Sequence, residues 1–545
     1  MSAVPDESDS LLTLPLTEQL LATHPNALQT PVTHVRPIDL VHAYCTGSSL
    51  ALPRHIRTFV HAVRTQQLPR EPLNSFHVRP LPFSQGMSPK KAHEVSRMAS
   101  YILRLVRHLD QHALHIVDIG AGQGYLTRAL KAYLPHAHIL ALDADNEQTL
   151  GAQRWENRVL LNANPSIDHK VIFISPESLL KALDDWVGPR PNPVPVLFVA
   201  LHACGSLTPD ILRAYIHATH NPNTNWRTAG LVAVGCCYNL MNPSDFPVAT
   251  RHLPIAAYHL AAQIPSQWLT SIDPPTFDPS VELSIRKVTW RALLGKALQR
   301  AVPDPNYRES ANDAAIKSAT VPARWSRRPE MTEETLSTLE PQLKFDAPES
   351  GTGLTEPLLR LGRLRDSAYV SWNTFLRAAE QRMGVLFHPD DFEAEGKGEK
   401  AEIRDGDNVN ERGKGGSDDL RPGRDTTLEN DLAAHHVLRC LLGPVIESAI
   451  LRDRLTWVRR GLCNRVQSDL DHSTRRPIQT LQQAGATEPT EQGSDAYAER
   501  DCGDAQRAEL VNLFDQATGS GRNVAIVVAP VRYFPSTSAE DGVES

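Results

Sequence analysis

The stretch HIVDIGAGQGY, residues 115–125, decides the fold that the sequence predicts. It opens with β-branched side chains around Asp118 and continues with glycines at alternate positions, Gly120, Gly122 and Gly124. From residue 125 onward, the sequence YLTRALKAY places apolar side chains at helical spacing. This order predicts a strand, a glycine turn and a helix. A ligand can approach such a turn closely because no Cβ atoms stand in the way.

An acidic residue completes this pattern at the end of the next predicted strand. His138–Leu142 is a second apolar run, and Asp143 follows it, nineteen residues after Gly124. A carboxylate there is placed to bind the ribose hydroxyls of a nucleoside cofactor. Tyr125 stands where a dinucleotide site needs its last glycine, and the Gly-Lys-Ser/Thr of a P-loop is absent. A tight turn in some other α/β protein is the alternative interpretation.

Three further apolar runs alternate with helical patterns and predict strands at Lys170–Ile174, Val194–Leu201 and Leu231–Gly235. This alternation predicts an α/β fold with a Rossmann-like, doubly wound parallel sheet. Ligands of such sheets bind at the carboxyl ends of the strands. The polar segments His202–Gly205 and Cys236–Asn239 are therefore expected at the same edge as the glycine turn.

Two of these strand ends carry candidate site residues. His202 is predicted to act as a general base towards a hydroxyl, because an imidazole titrates near neutral pH. Tyr238 is predicted to share the catalytic site, and Asn239 to line the substrate pocket. For each residue, a structural role at a strand end is the alternative.

Lys90 and Lys91 are predicted to bind substrate. They lie in the first turn of an amphipathic helix for which Ser88 is a good N-cap and Pro89 a good first residue. Positive charge at a helix N-terminus opposes the macrodipole and costs about 0.3–1 kcal/mol. We therefore expect these lysines to meet an anionic ligand or substrate, with extension into solvent as the alternative.

The cysteines near His202 raise the question of a metal. One histidine with Cys204, Cys236 and Cys237 is a valid zinc set. Adjacent cysteines are poorly placed for joint ligation, however, and structural zinc sites usually contain C-x₂₋₄-C. The sequence therefore predicts no metal, and the thiols are interpreted as small side chains in crowded strand ends.

Length and composition limit the possible classes of protein. A chain of 545 residues predicts two or three domains. Its net charge of −7 means that any RNA contact must use local basic patches. An odd number of cysteines without a C-x-x-C pair, and no secretory signal at Met1, predict reduced thiols in the cytoplasm or nucleus. No apolar run is long enough for a membrane span.

Five segments together resemble one family. In chain order they are MSPKKAHEV (87–95), DIGAGQGYL (118–126), ALHACGSLTPD (200–210), GCCYNL (235–240) and NVAIVVA (523–529). They are similar to class I S-adenosylmethionine-dependent methyltransferases, in the methyltransferase-like group that includes the ribosomal RNA adenine dimethylase domain-containing proteins. The strand ends with histidine and cysteine also resemble those of a tRNA ribose methyltransferase family.

The resemblance implies S-adenosylmethionine as cofactor, with binding roles for Asp118, Gly120, Gly122, Gly124 and Asp143. In the family, the glycine loop wraps the methionine end of the cofactor and the acid binds the ribose. The (N/D)-P-P-(Y/F) element of amino-group methyltransferases is absent, since residues 202–205 are His-Ala-Cys-Gly. The implied function is methyl transfer to RNA. A protein methyltransferase and a non-catalytic adaptor that retains the fold are the alternatives.

The predicted domain organisation places a methyltransferase core at 83–245. Around it the sequence predicts a loose tail at 1–24, an N-terminal helical unit at 25–82, a helical or mixed insertion at 246–392, a disordered linker at 393–434, a C-terminal helix and strand that complete the core at 435–535, with 472–504 mobile, and a tail at 536–545. Within the C-terminal part, Ala505–Phe514 is predicted to be helical and Asn523–Val528 to be a strand.

Overall fold

The computed structural model describes residues 35–304, 361–393, 424–463 and 506–534, apart from 50–51, 75, 110–113, 161–165, 221–224, 243–244, 246–252, 254 and 517–519. The predicted tails at 1–24 and 536–545, the predicted mobile stretch 472–504 and most of the predicted linker lie outside the described residues.

The helices, in chain order, are α1 (Pro37–Thr46), α2 (Arg54–Gln66), α3 (Pro89–Val106), α4 (Tyr125–Tyr133), α5 (Asn146–Val159), α6 (Pro176–Val187), α7 (Leu207–His220), α8 (Ile255–Ala261), α9 (Pro279–Leu298), α10 (Trp372–Met383), α11 (Thr426–Leu441) and α12 (Gly443–Cys463). The strands are β1 (His115–Ile119), β2 (His138–Asp143), β3 (Ile167–Val171), β4 (Val194–Cys204), β5 (Trp226–Cys236), β6 (Leu269–Ile272), β7 (Pro275–Phe277), β8 (Val302–Pro303), β9 (Val385–Leu386), β10 (Gln506–Asn512) and β11 (Val524–Pro530).

Seven strands form one twisted central sheet in the order β10-β11-β5-β4-β1-β2-β3. The strands from β5 to β3 run parallel to their neighbours, whereas β11 is antiparallel to β5 and β10 is antiparallel to β11. The predicted α/β fold is confirmed, including the late antiparallel strand that the C-terminal segment adds to the sheet.

The central strands are buried along nearly their whole length because both faces of the sheet are covered. Successive residues of β1 point to opposite sides, so Ile116 packs in one core with Met98 of α3. Its neighbour Val117 packs in the other core with Leu183 of α6 and Ile211 of α7. Two helical layers thus hold the sheet rigidly, and the carboxyl ends of its parallel strands form one edge.

Three elements differ from the sequence prediction. The segment predicted as the helix Ala505–Phe514 is strand β10, because its backbone pairs with β11 from Gln506 to Asn512 and this pairing overrides helix-forming composition. Strand β3 begins three residues earlier than Lys170, in register with β2. Helix α11 begins inside the predicted disordered linker, where Asp425 accepts a hydrogen bond from the backbone N–H of Leu428 at 3.0 Å.

The chain divides into two compact units. The first contains the described residues of 65–267 and 442–545, and the second those of 20–64 and 268–441. The second unit has its own core, in which Trp290, Tyr369, Trp372 and Phe375 pack ring against ring. None of the helices described has the length and apolar character that a membrane span requires.

Candidate active site

The glycine turn between β1 and α4 adopts a backbone that favours glycine. Gly120, Gly122 and Gly124 have φ values of 74°, 55° and 66°. A Cβ atom at Gly122 would meet nothing within 4 Å, whereas one at Gly120 would lie 3.2 Å from Leu207 and one at Gly124 3.1 Å from Ala152. The outer two glycines therefore permit close packing, and the middle one borders open space that a ligand can enter.

Asp143 lies against this turn, as the sequence predicted. Its Oδ2 accepts a hydrogen bond from the backbone N–H of Gly122 at 2.8 Å, and its Oδ1 accepts one from Asp145 at 2.9 Å. Each carboxylate oxygen keeps a second lone pair for a ligand hydroxyl. Asp145 is committed elsewhere, because its side chain caps α5 through Glu147 and Gln148.

Asp118 ties the strand to the helix that follows the turn. It is 2% exposed, and its Oδ2 accepts a hydrogen bond from the Thr127 hydroxyl at 2.5 Å. Burial raises the pKa of Asp118 to about 6, although the Thr127 hydrogen bond opposes this, and the nearby charge of Asp143 contributes to the increase. A buried carboxyl bonded to Thr127 holds both ends of the glycine turn in place.

These residues fit a nucleoside cofactor, because an open cradle at Gly122 lies next to the ribose-type carboxylate of Asp143. Sequence reasoning missed one further feature of this cradle. Phe173 is 57% exposed and lies one residue beyond Ile172, whose N–H donates to the Asp143 carbonyl at 2.9 Å. The exposed ring of Phe173, next in sequence to this backbone contact, is a candidate flat surface for a purine base.

His202 meets two residues of α3 at the carboxyl end of β4. Its Nε2 lies 2.6 Å from Lys91 Nζ and 3.0 Å from Glu94 Oε2, and Lys91 Nζ lies 2.8 Å from the same Glu94 oxygen. The structure thus brings together His202 and Lys91, which the sequence singled out separately. Glu94 joins them and was missed, although it lies three residues after Lys91, on the same face of the helix.

Glu94 is the electrostatic centre of this cluster. Burial leaves its side chain 1% exposed and disfavours its charge, but hydrogen bonds and charge from His202 and Lys91 outweigh this. The pKa of Glu94 therefore lies at about 2, and the group is a carboxylate at neutral pH. The His202 side chain remains 32% exposed, so it can also meet a molecule from outside.

The remaining candidates occupy different positions. Tyr238 is 1% exposed, and its hydroxyl donates to Glu447 Oε1 of α12 at 3.1 Å. A hydroxyl held by a buried carboxylate does not reach an external acceptor, so this position does not favour the predicted catalytic role. Asn239 and Lys90 are exposed, and the hydrogen bonds described for His202 are with Lys91 and Glu94, not with either of these side chains.

Three cysteines converge near His202. Cys204 and Cys236 are register partners at the ends of β4 and β5, and their Sγ atoms lie 3.1 Å apart. Cys237 follows with a positive φ of 49°. The Sγ atoms of all three lie within 4.8 Å of one another.

Comparison with known proteins shows which domain the surrounding segment is similar to. Residues 90–244 match the profile of a family described as a methyltransferase domain. This segment has the α/β fold and the sequence profile of a methyltransferase domain. The predicted S-adenosylmethionine cofactor is that of this domain class, and the matched range contains the glycine turn, Asp143, Glu94 and His202.

Three solved structures illustrate the similarity. A magnesium protoporphyrin IX methyltransferase from Synechocystis PCC 6803 with bound S-adenosyl-homocysteine is 15% identical, with 27% of this chain and 57% of that chain covered and a TM-score of 0.19. A precorrin-6y C5,15-methyltransferase from Geobacter metallireducens is 16% identical, with coverages of 29% and 72% and a TM-score of 0.19. TrmK from M. capricolum, in complex with S-adenosyl-homocysteine, is 17% identical, with coverages of 25% and 51% and a TM-score of 0.17. The chain spans little more than half the length of two of these structures.

Proposed function

We propose that this chain is an S-adenosylmethionine-dependent methyltransferase that acts on RNA, with His202 as the base that takes a proton from a hydroxyl acceptor. The observation that carries the proposal is the cluster of His202, Glu94 and Lys91. It lies at the carboxyl edge of the same sheet that places Asp143 against the glycine turn.

Four residues would hold the cofactor. Asp143 would accept hydrogen bonds from the ribose hydroxyls, Gly122 would leave room for the nucleoside, Phe173 would cover the base, and Asp118 would keep the turn in shape. When bound, S-adenosylmethionine supplies a methyl group on a positively charged sulfur. Because that group is already activated, the protein has to position the acceptor and remove its proton.

The contacts of His202 suit proton removal. In the described part of the chain its Nδ1 makes no hydrogen bond, whereas Nε2 is within reach of both Glu94 and Lys91. In the tautomer with a proton on Nε2, that proton is donated to Glu94, Lys91 donates to the same carboxylate and not to His202, and the Nδ1 lone pair is open to the acceptor hydroxyl. Glu94 then stabilises the imidazolium that forms, as the buried carboxylate does in a catalytic triad.

RNA is the acceptor that the surrounding charges favour. Lys90 is exposed in the first turn of α3, which has no acidic residue, and Lys91 reaches His202 from the next position. The exposed Lys90 can contact a phosphate next to the reacting sugar. A ribose hydroxyl also agrees with the resemblance to tRNA ribose methyltransferases and with the missing (N/D)-P-P-(Y/F) element. The proposal includes a cytoplasmic or nuclear location.

The test uses the full chain, tritium-labelled S-adenosylmethionine and total RNA or protein from cells of the source organism. We expect nuclease-sensitive label, and after alkaline hydrolysis we expect it in dinucleotides, because a methylated 2′-hydroxyl cannot attack the neighbouring phosphate. His202→Ala should lower kcat about 10²–10⁴-fold with cofactor affinity unchanged. His217→Ala, at an exposed position on α7, is the matched control and should keep full activity.

Other outcomes select another function. Label that resists nuclease but is released by protease would identify a protein methyltransferase. Label that alkaline hydrolysis of the RNA releases in mononucleotides would place the methyl group on a base. Tight cofactor binding without incorporation into either macromolecule would favour a non-catalytic adaptor.

A further inference from the structure

The three cysteines at the ends of β4 and β5 form a cluster that methyl transfer as described above does not use. Cys204 and Cys236 end adjacent parallel strands, and Gly205 donates its backbone N–H to the Cys236 carbonyl at 2.9 Å. The strand ends are therefore fixed against each other. Two thiols are brought together by the sheet itself, without a loop that could separate them.

The conformation of Cys237 adds the third thiol. Among the described residues, Cys237 is the non-glycine residue with a positive φ. A left-handed backbone at a residue other than glycine is unfavourable by about 1–3 kcal/mol. This left-handed turn answers the objection that adjacent cysteines cannot ligate jointly. In an extended strand, neighbouring side chains point to opposite faces, but here the Cys236 and Cys237 sulfurs lie within 4.8 Å of each other. Strained residues of this kind are concentrated at functional sites.

The spacing of the sulfurs suits a metal ion. Tetrahedral Zn²⁺ with Zn–S bonds of about 2.3 Å places its sulfur ligands about 3.8 Å apart. The Sγ atoms of Cys204 and Cys236 lie 3.1 Å apart, and no two of the three Sγ atoms are more than 4.8 Å apart. The value for a zinc site lies between these two distances. A disulfide needs about 2.0 Å between two sulfurs and would leave the third cysteine without a role.

The charges around the cluster agree with bound thiolates. The positive charges of His202 and Arg522 lie close enough to Cys237 to favour a negative charge on its sulfur. Three thiolates with one Zn²⁺ carry a single negative charge, which nearby Arg522 can balance. Arg522 is itself held by Glu447 Oε1 at 3.1 Å, so this positive charge is fixed in the fold.

We propose that Cys204, Cys236 and Cys237 form a binding site for a thiophilic divalent cation, Zn²⁺, at the carboxyl ends of β4 and β5. Three protein ligands leave a fourth coordination position for a ligand from outside the three cysteines. The site clamps the two strand ends beside His202. It does not depend on the methyl-transfer proposal, because its ligands are separate from the cofactor residues.

The test is metal binding by the full chain, purified with a phosphine reductant and stripped with a chelator. On titration with Zn²⁺ we expect one equivalent bound per chain. Zinc should protect three of the seven thiols from a colorimetric thiol reagent, and a chelator should restore their reactivity. Co²⁺ in place of Zn²⁺ should give intense thiolate-to-metal charge-transfer absorption.

Variants assign the ligands. Cys237→Ser should weaken Zn²⁺ binding about 100-fold or more, since even second-shell changes cost 10–100-fold. Cys463→Ser, at an exposed position on α12, is the matched control and should bind as the wild type does. The proposal would be overturned if Zn²⁺ left all thiols of the folded wild type reactive, or if Cys237→Ser bound Zn²⁺ as tightly as the wild type. It would also be overturned if Cys204 and Cys236 remained joined in a disulfide despite the phosphine reductant. If the variant does not fold, thiol protection in the wild type still decides.

Discussion

Replacing Glu94 with glutamine tests whether the cluster around His202 has the electrostatics that its geometry indicates. The pKa of Glu94 lies at about 2 instead of the ordinary 4.5, mainly because hydrogen bonds from His202 and Lys91 exceed the cost of burial. At about 1.4 kcal/mol per pKa unit, the difference corresponds to about 3 kcal/mol of stabilisation. Glutamine keeps the shape of the side chain and one hydrogen-bond acceptor but not the negative charge. We therefore expect the free energy of unfolding to fall by about 2–3 kcal/mol at pH 7.

The sign of the pH dependence follows from the direction of this change. A lowered pKa in the folded state contributes stability above the unfolded value of 4.5, and this stability is lost as the pH falls through 4.5 towards 2. The free-energy difference between wild type and Glu94→Gln should therefore be constant from pH 7 to about pH 5.5. It should fall to about half at pH 3.

The assay is urea unfolding followed by tryptophan fluorescence at a series of pH values. Asp185→Asn is the matched control in the same compact unit, because Asp185 is 52% exposed and, among the residues that the structure describes, pairs with Lys170 and Lys181. Its effect should stay below about 0.5 kcal/mol at every pH. Equal stability of Glu94→Gln and wild type at pH 7, or a difference that does not change with pH, would refute the electrostatic account.

Three further predictions concern the cofactor cradle and Tyr238. Gly122→Arg fills the open space at the turn, so calorimetry should detect no S-adenosylmethionine binding while the circular dichroism spectrum is retained; unchanged affinity would refute the assignment of the turn. Phe173→Ala should raise the cofactor Kd about tenfold by loss of an aromatic contact, and an unchanged Kd would place the base elsewhere. Tyr238→Phe should lower the free energy of unfolding by about 1 kcal/mol and leave kcat unchanged, because the hydroxyl donates its hydrogen bond to Glu447. A lower kcat in a variant of unchanged stability would support the predicted catalytic role of Tyr238.

The cofactor side of the site could be predicted from the sequence because its signals are local. A β-branched run, three glycines with positive φ and an acid at the end of the next strand lie within residues 115–143, and parallel pairing of β1 with β2 brings them together. The apolar run of β4 likewise predicted a central strand, because a strand covered on both faces has no polar alternation.

Tertiary structure alone decided the contacts between distant segments. Glu94 reaches His202 across 108 residues and Tyr238 reaches Glu447 across 209, and neither partner is marked by a local pattern. Strand β10 carries helix-forming residues and becomes a strand because β11 offers an open edge. The same holds for the thiol cluster, whose convergence depends on strand register and on one left-handed residue, Cys237. Local periodicity determines which elements form, whereas packing and register determine which side chains meet, since those depend on the whole chain at once.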